Sequence, residues 1–166
     1  MSTIKNPIKK EIQKIPTTSA VTIHLELNKP KMPLDRTTFA PYSITTSFTE
    51  ESRSTFKESK GRLSIILADP DKIIKLTDEE IYLKTIDDLN LLGIDVKDDV
   101  ISYRVIRHPN KFYDFAQKND HYRQKTDIGI KGLILAGDYI KQKMYSTMEG
   151  AVISGLMAYK AIIKND

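Results

Sequence analysis

Between Ala20 and Leu27 apolar and polar residues alternate without a break. Val21, Ile23, Leu25 and Leu27 fall on one side, and Thr22, His24 and Glu26 on the other. Side chains of an extended chain point to opposite faces with period two, so both sets are satisfied together in a half-buried strand. Such a strand needs paired neighbours and a cover for its apolar face. The segment therefore predicts an antiparallel sheet, dry on one face.

The rest of the chain supplies the neighbours and the cover. Tyr42 to Thr49, rich in Thr, Ser, Ile and Phe, and Leu63 to Ala68, stopped by Asp69-Pro70, predict two further strands. Val100 to Ile106 alternates again and should be broken by His108-Pro109. Thr77 precedes three acids, with Glu80 three residues on, which predicts a capped helix to about Leu92, ended by Gly93. Its inward residues should be Ile81, Leu83, Ile86, Leu89 and Leu92. Asp71 to Leu76 suits one helical turn, and Ile4, Ile8, Ile12 and Ile15 suit a short helix ended by Pro16. Lys29 to Asp35 reads as a loop, Glu50 to Lys60 as polar and exposed, and Asn110 to Gly129 as a long aromatic excursion.

From Lys131 the character changes. Gly132 to Ala136 reads Gly-Leu-Ile-Leu-Ala, a run typical of a strand buried on both faces. Gly137-Asp138 ends it, and a Lys-rich turn from Tyr139 to Tyr145 leads to a helix from Ser146 to Ile163. Its inward face should carry Ala151, Ile153 or Ser154, Met157, Ala158 and Ile162. Gly150 and Gly155 lie inside it, which suggests that some backbone approaches closely there. A helix N-terminus after a strand and a Gly-Asp pair can bind an anion or a flat ring, because first-turn N–H groups point outward and the dipole favours negative charge. From these residues alone, an ordinary capped helix after a strand is the plainer reading.

Gly132-Leu-Ile-Leu-Ala-Gly-Asp-Tyr139, then Ser146-Thr-Met-Glu-Gly-Ala-Val-Ile-Ser-Gly155, resembles the C-terminal signature of the carotenoid desaturases. These sit in the wider amine oxidase and protoporphyrinogen oxidase superfamily of flavoenzymes. The likeness runs over some 24 positions; Ile140 replaces the usual Thr and Thr147 the usual Ser. The resemblance implies an FAD site. Asp138, after Gly137, would bind the ribitol or pyrophosphate region, and the backbone at Thr147, Met148, Glu149, Gly150 and Ala151 would approach the flavin. It names no catalytic side chain.

A dinucleotide site of this type opens with G-x-G-x-x-G after a first strand. The seven glycines, Gly61, Gly93, Gly129, Gly132, Gly137, Gly150 and Gly155, nowhere show that spacing. The chain thus reads as a C-terminal portion of a longer flavoenzyme or a split subunit acting on an apolar substrate such as a polyene. The alternative is a flavin-free binding module derived from that family. A separate chain would supply the G-x-G-x-x-G half, or the exposed strand Gly132 to Ala136 would self-associate. The expected fold is α+β: a substrate-domain-like antiparallel sheet with a covering helix over residues 1–125, then a strand–helix unit of a Rossmann-like FAD-binding domain over 126–166.

Composition narrows the function classes. Without cysteine there are no disulfides, thiolate metal sites or Cys nucleophiles. The net charge of +4 is spread thinly, with no basic stripe interleaved with aromatics, so nucleic acid is not an expected partner. No run approaches the ~18 apolar residues of a membrane span, and the charged N-terminus lacks the apolar core of a signal peptide. The default placement is cytoplasmic, with peripheral membrane contact left open. His24 reads as a surface residue. His108 and His121, with Asp114 and Asp120 nearby, lack short ligand spacing, so no metal is expected. Phe112, Tyr113, Phe115 and Tyr122 pack the long loop or line an apolar tunnel.

Overall fold

The computed structural model describes residues 13–114, 116–144 and 147–165, with the side chains of Gln117 and Asn165 left aside. The helix expected over Ile4 to Ile15 lies mostly outside them. The chain forms two compact units, Thr18–Lys111 and a second made of Met1–Thr17 with Phe112–Asp166.

The first unit is built on β1 (Thr17–Leu27), β2 (Thr37–Phe39), β3 (Ser47–Glu50), β4 (Gly61–Ile66) and β5 (Val100–Tyr113), in the order β2-β3-β4-β1-β5. β1 pairs antiparallel with β4 from Thr22↔Ile66 to Leu27↔Gly61, and β4 with β3 from Ser47↔Ile66 to Glu50↔Leu63. The alternation of β1 holds throughout: Val21, Ile23, Leu25 and Leu27 are fully buried. They meet Leu63 and Ile65 of β4, Phe48 of β3, and Ile81, Ile86 and Leu89 from the covering helix α2 (Asp78–Leu91) in one core. Each such side chain contributes about 1.5–3 kcal/mol by leaving water. A short helix α1 (Pro70–Ile73) adds Ile73.

α2 opens as expected: the Glu80 N–H donates to Thr77 Oγ1 at 3.2 Å, and the Thr77 N–H donates to Glu80 Oε2 at 2.8 Å. It closes at Gly93, whose φ of +78° a side chain would resist. Leu83 and Leu92, expected inward, are exposed. Thr85 takes the inward place instead, its hydroxyl donating to the Ile81 carbonyl at 2.7 Å. The buried set 81, 85, 86 and 89 follows the helical period, whereas Leu83 lies ~200° round from Ile81 and Leu92 follows the last helical residue.

Three other expectations are corrected. The second strand is shorter than Tyr42 to Thr49, because Tyr42 turns the chain at φ 70° and pairing begins at Ser47. β5 does not stop at His108-Pro109 but runs to Tyr113. It is an edge strand, where a proline need not break a ladder. The excursion expected from Asn110 is accordingly shorter, and it contains a 3-10 turn at Gln117–Tyr122. Glu50 and Ser52, expected exposed, are buried. The Glu50 carboxylate accepts from the backbone N–H groups of Lys31 and Arg62, both at 2.9 Å, and from the Ser52 hydroxyl at 2.6 Å. It ties the proline-containing loop after β1 to the β3–β4 corner. Asp88 does the same from α2, accepting from the Thr45 N–H at 2.9 Å and from the hydroxyls of Thr45 and Ser43.

In the second unit, Gly132 to Ala136 is not a strand. Ile134 forms an isolated bridge with Asp127, the Leu133 N–H closes a turn on the Ile130 carbonyl at 3.0 Å, and Gly129 and Gly132 both have positive φ. A doubly buried strand requires neighbours on both edges, and among the described residues this segment has one bridged neighbour. The final helix, α3, spans Met148–Asn165. No helix among the described residues is long and apolar enough to cross a membrane.

Burial alone would raise the carboxyls of Glu50 and Asp88, but the hydrogen bonds they accept outweigh it and hold both below the ordinary range. Depressed folded-state values add stability above the unfolded-state range, and that stability disappears as pH falls through the folded values. Melts of the chain should therefore be flat above about pH 5 and fall below about pH 4. Glu50→Gln should cost about 1–3 kcal/mol at neutral pH, because its amide faces N–H donors, and should flatten the acid slope.

Candidate cofactor site

The site residues expected from sequence lie within the second unit. Gly137 has φ 143°, and a Cβ there would meet the Tyr139 ring at 2.4 Å. Its N–H donates to Ser154 Oγ at 2.8 Å, and Ser154 Oγ donates to the Ala151 carbonyl at 2.6 Å. A buried hydroxyl on α3 thus pins the Gly-Asp pair to the helix.

The opening of α3 follows the expected pattern in part. Ser146 lies outside the described residues. Thr147 Oγ1 accepts from the Gly150 N–H at 3.0 Å, and the Thr147 carbonyl accepts from Ala151 at 3.0 Å. Thr147, standing where the resemblance places a serine, caps this turn. Met148, Glu149 and Ala151 are exposed and Gly150 is buried. Among the described residues, Thr147 supplies the cap of this first turn.

The turn between Gly137 and α3 is organised by Arg123, which sequence reasoning missed. Its buried guanidinium donates to the carbonyls of Ile140 (2.5 Å), Met144 (3.2 Å), Asp138 (3.4 Å) and Gln142 (3.4 Å), and reaches Asp120 at 3.4 Å. Two backbone bonds run alongside, Leu135 N–H to the Thr126 carbonyl (2.8 Å) and Lys141 N–H to that of Gln124 (2.7 Å). Arg123 sits in the aperiodic stretch after β5, where nothing in the pattern marks it.

Gln142 also escaped notice. Its Nε2 donates to the Gly150 carbonyl at 2.9 Å, while its Oε1 is buried without a partner among the described residues. A buried acceptor lacking a donor is costly and suits a ligand N–H or O–H. Tyr139 packs against Tyr113 with ring centres 5.8 Å apart, so the aromatics of the long loop serve packing at this point. Burial, then Tyr113 and Asp138, push the Tyr139 hydroxyl above its ordinary range, keeping it neutral. The residues fit a flat, partly anionic ligand: a capped helix start at the surface, a glycine within its first turn, and an orphaned acceptor beside that glycine.

His24 is not the plain surface residue expected. It is half-buried on the polar face of β1, with Nδ1 2.9 Å from Ser64 Oγ, which donates to Glu51. Burial, then Arg62, lower its pKa. No group of metal-ligating side chains occurs among the described residues.

The family model for flavin containing amine oxidoreductases matches residues 2–163. The chain belongs to that family. It is 26% identical over 169 residues to a 15-cis-phytoene desaturase of Solanum lycopersicum, covering 96% of this chain and 29% of that one. A zeta-carotene desaturase of Synechocystis is 30% identical over 104 residues, covering 62% of this chain and 21% of the relative. The chain therefore spans less than a third of these relatives' length. Among solved structures, an oxidoreductase from Methanosarcina mazei aligns at TM-score 0.62 and 15% identity, covering 92% of this chain and 36% of that one. A putrescine oxidase double mutant aligns at TM-score 0.64 and 12% identity, covering 96% and 38%. At those identities the structural likeness speaks to the fold.

Arg123→Ala removes one buried cation and frees several carbonyls together. It should cost at least ~2 kcal/mol in a thermal melt of the chain, with faster hydrogen exchange from Gly137 to Met144. Arg123→Lys should recover only part of the loss, since a single ammonium cannot replace the planar fork.

Proposed function

We propose that this chain contributes the C-terminal part of an FAD-dependent oxidoreductase, a desaturase or oxidase acting on an apolar substrate such as a polyene. A polypeptide carrying the G-x-G-x-x-G half completes the site. The observation that carries the reading is the family match through residue 163 together with the capped, glycine-containing start of α3. The names of the curated relatives support the polyene class.

In this reading Asp138 accepts hydrogen bonds from the ribitol or pyrophosphate region, and Gly137 supplies the turn that presents it. The first turn of α3, from Thr147 through Met148, Glu149 and Gly150 to Ala151, faces the flavin and steadies negative charge there. Gln142 Oε1 accepts from the cofactor and so gains its missing donor. When bound, FAD supplies hydride acceptance, and the protein positions substrate against it. The flavin-free alternative draws no support from the residues retained, since cap, glycine and acidic residue are all kept.

Desalting followed by an absorbance scan from about 300 to 550 nm tests this reading. The chain alone should retain no flavin. After mixing with FAD and the part of the Solanum desaturase that lies outside its alignment to this chain, flavin bands should stay with protein. Loss of all flavin from that mixture would count against the cofactor reading.

A further inference from the structure

Among the described residues three non-glycine residues hold a positive φ: Tyr42 at 70°, Asp69 at 45° and Asn110 at 48°. A side chain resists that region, so it persists only where surrounding structure enforces it, and such positions gather at binding sites. Tyr42 and Asp69 lie on different loops, yet both border one cavity of about 620 Å³ in the first unit. Tyr42 is fully exposed, so burial of its ring does not offset the conformation it holds.

The floor of this cavity is apolar: Ile73 is buried, and Ile44, Ala68 and Leu76 are half-buried. Its walls are fastened. The Asp88 carboxylate accepts from the Ser43 hydroxyl and from the N–H and hydroxyl of Thr45, which ties the loop after Tyr42 to α2. The Ala68 N–H donates to the Ile44 carbonyl at 2.8 Å and joins the two loops that carry the positive φ values. The rim holds the exposed ammonium groups of Lys72 and Lys84. Lys72 pairs with Asp69 at 3.3 Å, both side chains being more than two-thirds exposed. A pair in that setting is weak and readily exchanged. Lys84 acts on Glu80 one turn back, but that carboxylate is committed to the Thr77 cap.

We infer that this cavity binds an amphipathic acid: its apolar chain lies over Ile44, Ile73 and Leu76, its carboxylate meets Lys72 and Lys84, and Tyr42 covers it. The volume lies within the roughly 300–1,000 Å³ of small-molecule sites, which are mostly apolar with a few polar groups that fix orientation. The apolar floor disfavours a purely ionic ligand such as phosphate, and the two lysines disfavour a cationic amphiphile. A tyrosine ring offers a flat apolar face with few rotatable bonds, so little freedom is lost when it settles on a ligand. Failure of the chain to hold flavin would leave this inference standing, because the cavity lies wholly within Thr18–Lys111.

The test uses the full chain with decanoate as probe, kept below its micelle concentration, and decanol and decyltrimethylammonium as its neutral and cationic counterparts. Calorimetry should show saturable 1:1 binding of decanoate, with amide NMR shifts centred on Ser43–Thr46 and Ala68–Leu76. Decanol should bind about fivefold more weakly or worse, the worth of two exposed charges, and the cation no better than decanol. Lys72→Gln with Lys84→Gln should bring decanoate down to the level of decanol. Tyr42→Gly should weaken acid and alcohol alike while leaving the melt unchanged or higher, since glycine adopts φ 70° freely. Circular dichroism checks that each variant folds. Equal affinity for acid and alcohol, indifference to both variants, or no saturable binding overturns the inference. So do shifts centred on the exposed apolar side of α3, to which Ala151 and Ile162, expected inward, belong. Loss of decanoate binding on adding the same complementary part of the Solanum desaturase would show a cavity covered in the whole protein, and would overturn it too.

Discussion

One buried cation holds the candidate site in shape. The turn from Asp138 to Met144 has no regular secondary structure, so its carbonyls have no ladder to satisfy them. Arg123 supplies donors to four of them from a single planar group. A guanidinium is suited to this, because it stays charged and its fork is rigid. Gly137 and the start of α3 stand at the two ends of that turn, and Ser154 and Gln142 fasten each end again. The geometry of the site is therefore set by side chains borrowed from outside it.

The first unit uses the same device with opposite sign. Glu50 and Asp88 sink carboxylates among backbone N–H and hydroxyl donors where loops meet the sheet and α2. In both units the regular elements are held by apolar burial and the irregular ones by a charged group that gathers several backbone partners. Charge-assisted bonds are about twice as strong as neutral ones, which suits them to segments that lack a repeating pattern.

That division explains what was legible in the sequence. Period-two and helical patterns announced β1, β4 and α2, because burial of one face imposes a repeat. Thr77 and Glu80 announced a helix start, because a cap is chemistry within four residues. The site segment was recognisable from Gly132 to Gly155 as a pattern, yet its strand did not form. A strand buried on both faces depends on neighbours that the sequence around it does not contain. Arg123, Gln142, Glu50 and Asp88 were invisible for a related reason: each acts mostly on residues 8 to 45 positions away, and nothing local marks them. The two compact units divide at 111/112, since β5 continues through Pro109 and the segment after it packs with the tail.

α3 joins these threads, being the proposed cofactor-facing element at its first turn and a helix with one buried and one exposed apolar side. The central claim is that its first turn and the Gly137-Asp138 pair together contact the flavin. Backbone amide NMR of the labelled chain, in complex with the complementary half, tests it directly by comparing spectra with and without FAD. The account predicts that the largest shifts fall at Gly137, Asp138 and Met148 to Ala151. FAD-dependent shifts confined to residues 18–111, or absent from the chain while flavin is bound, would contradict it.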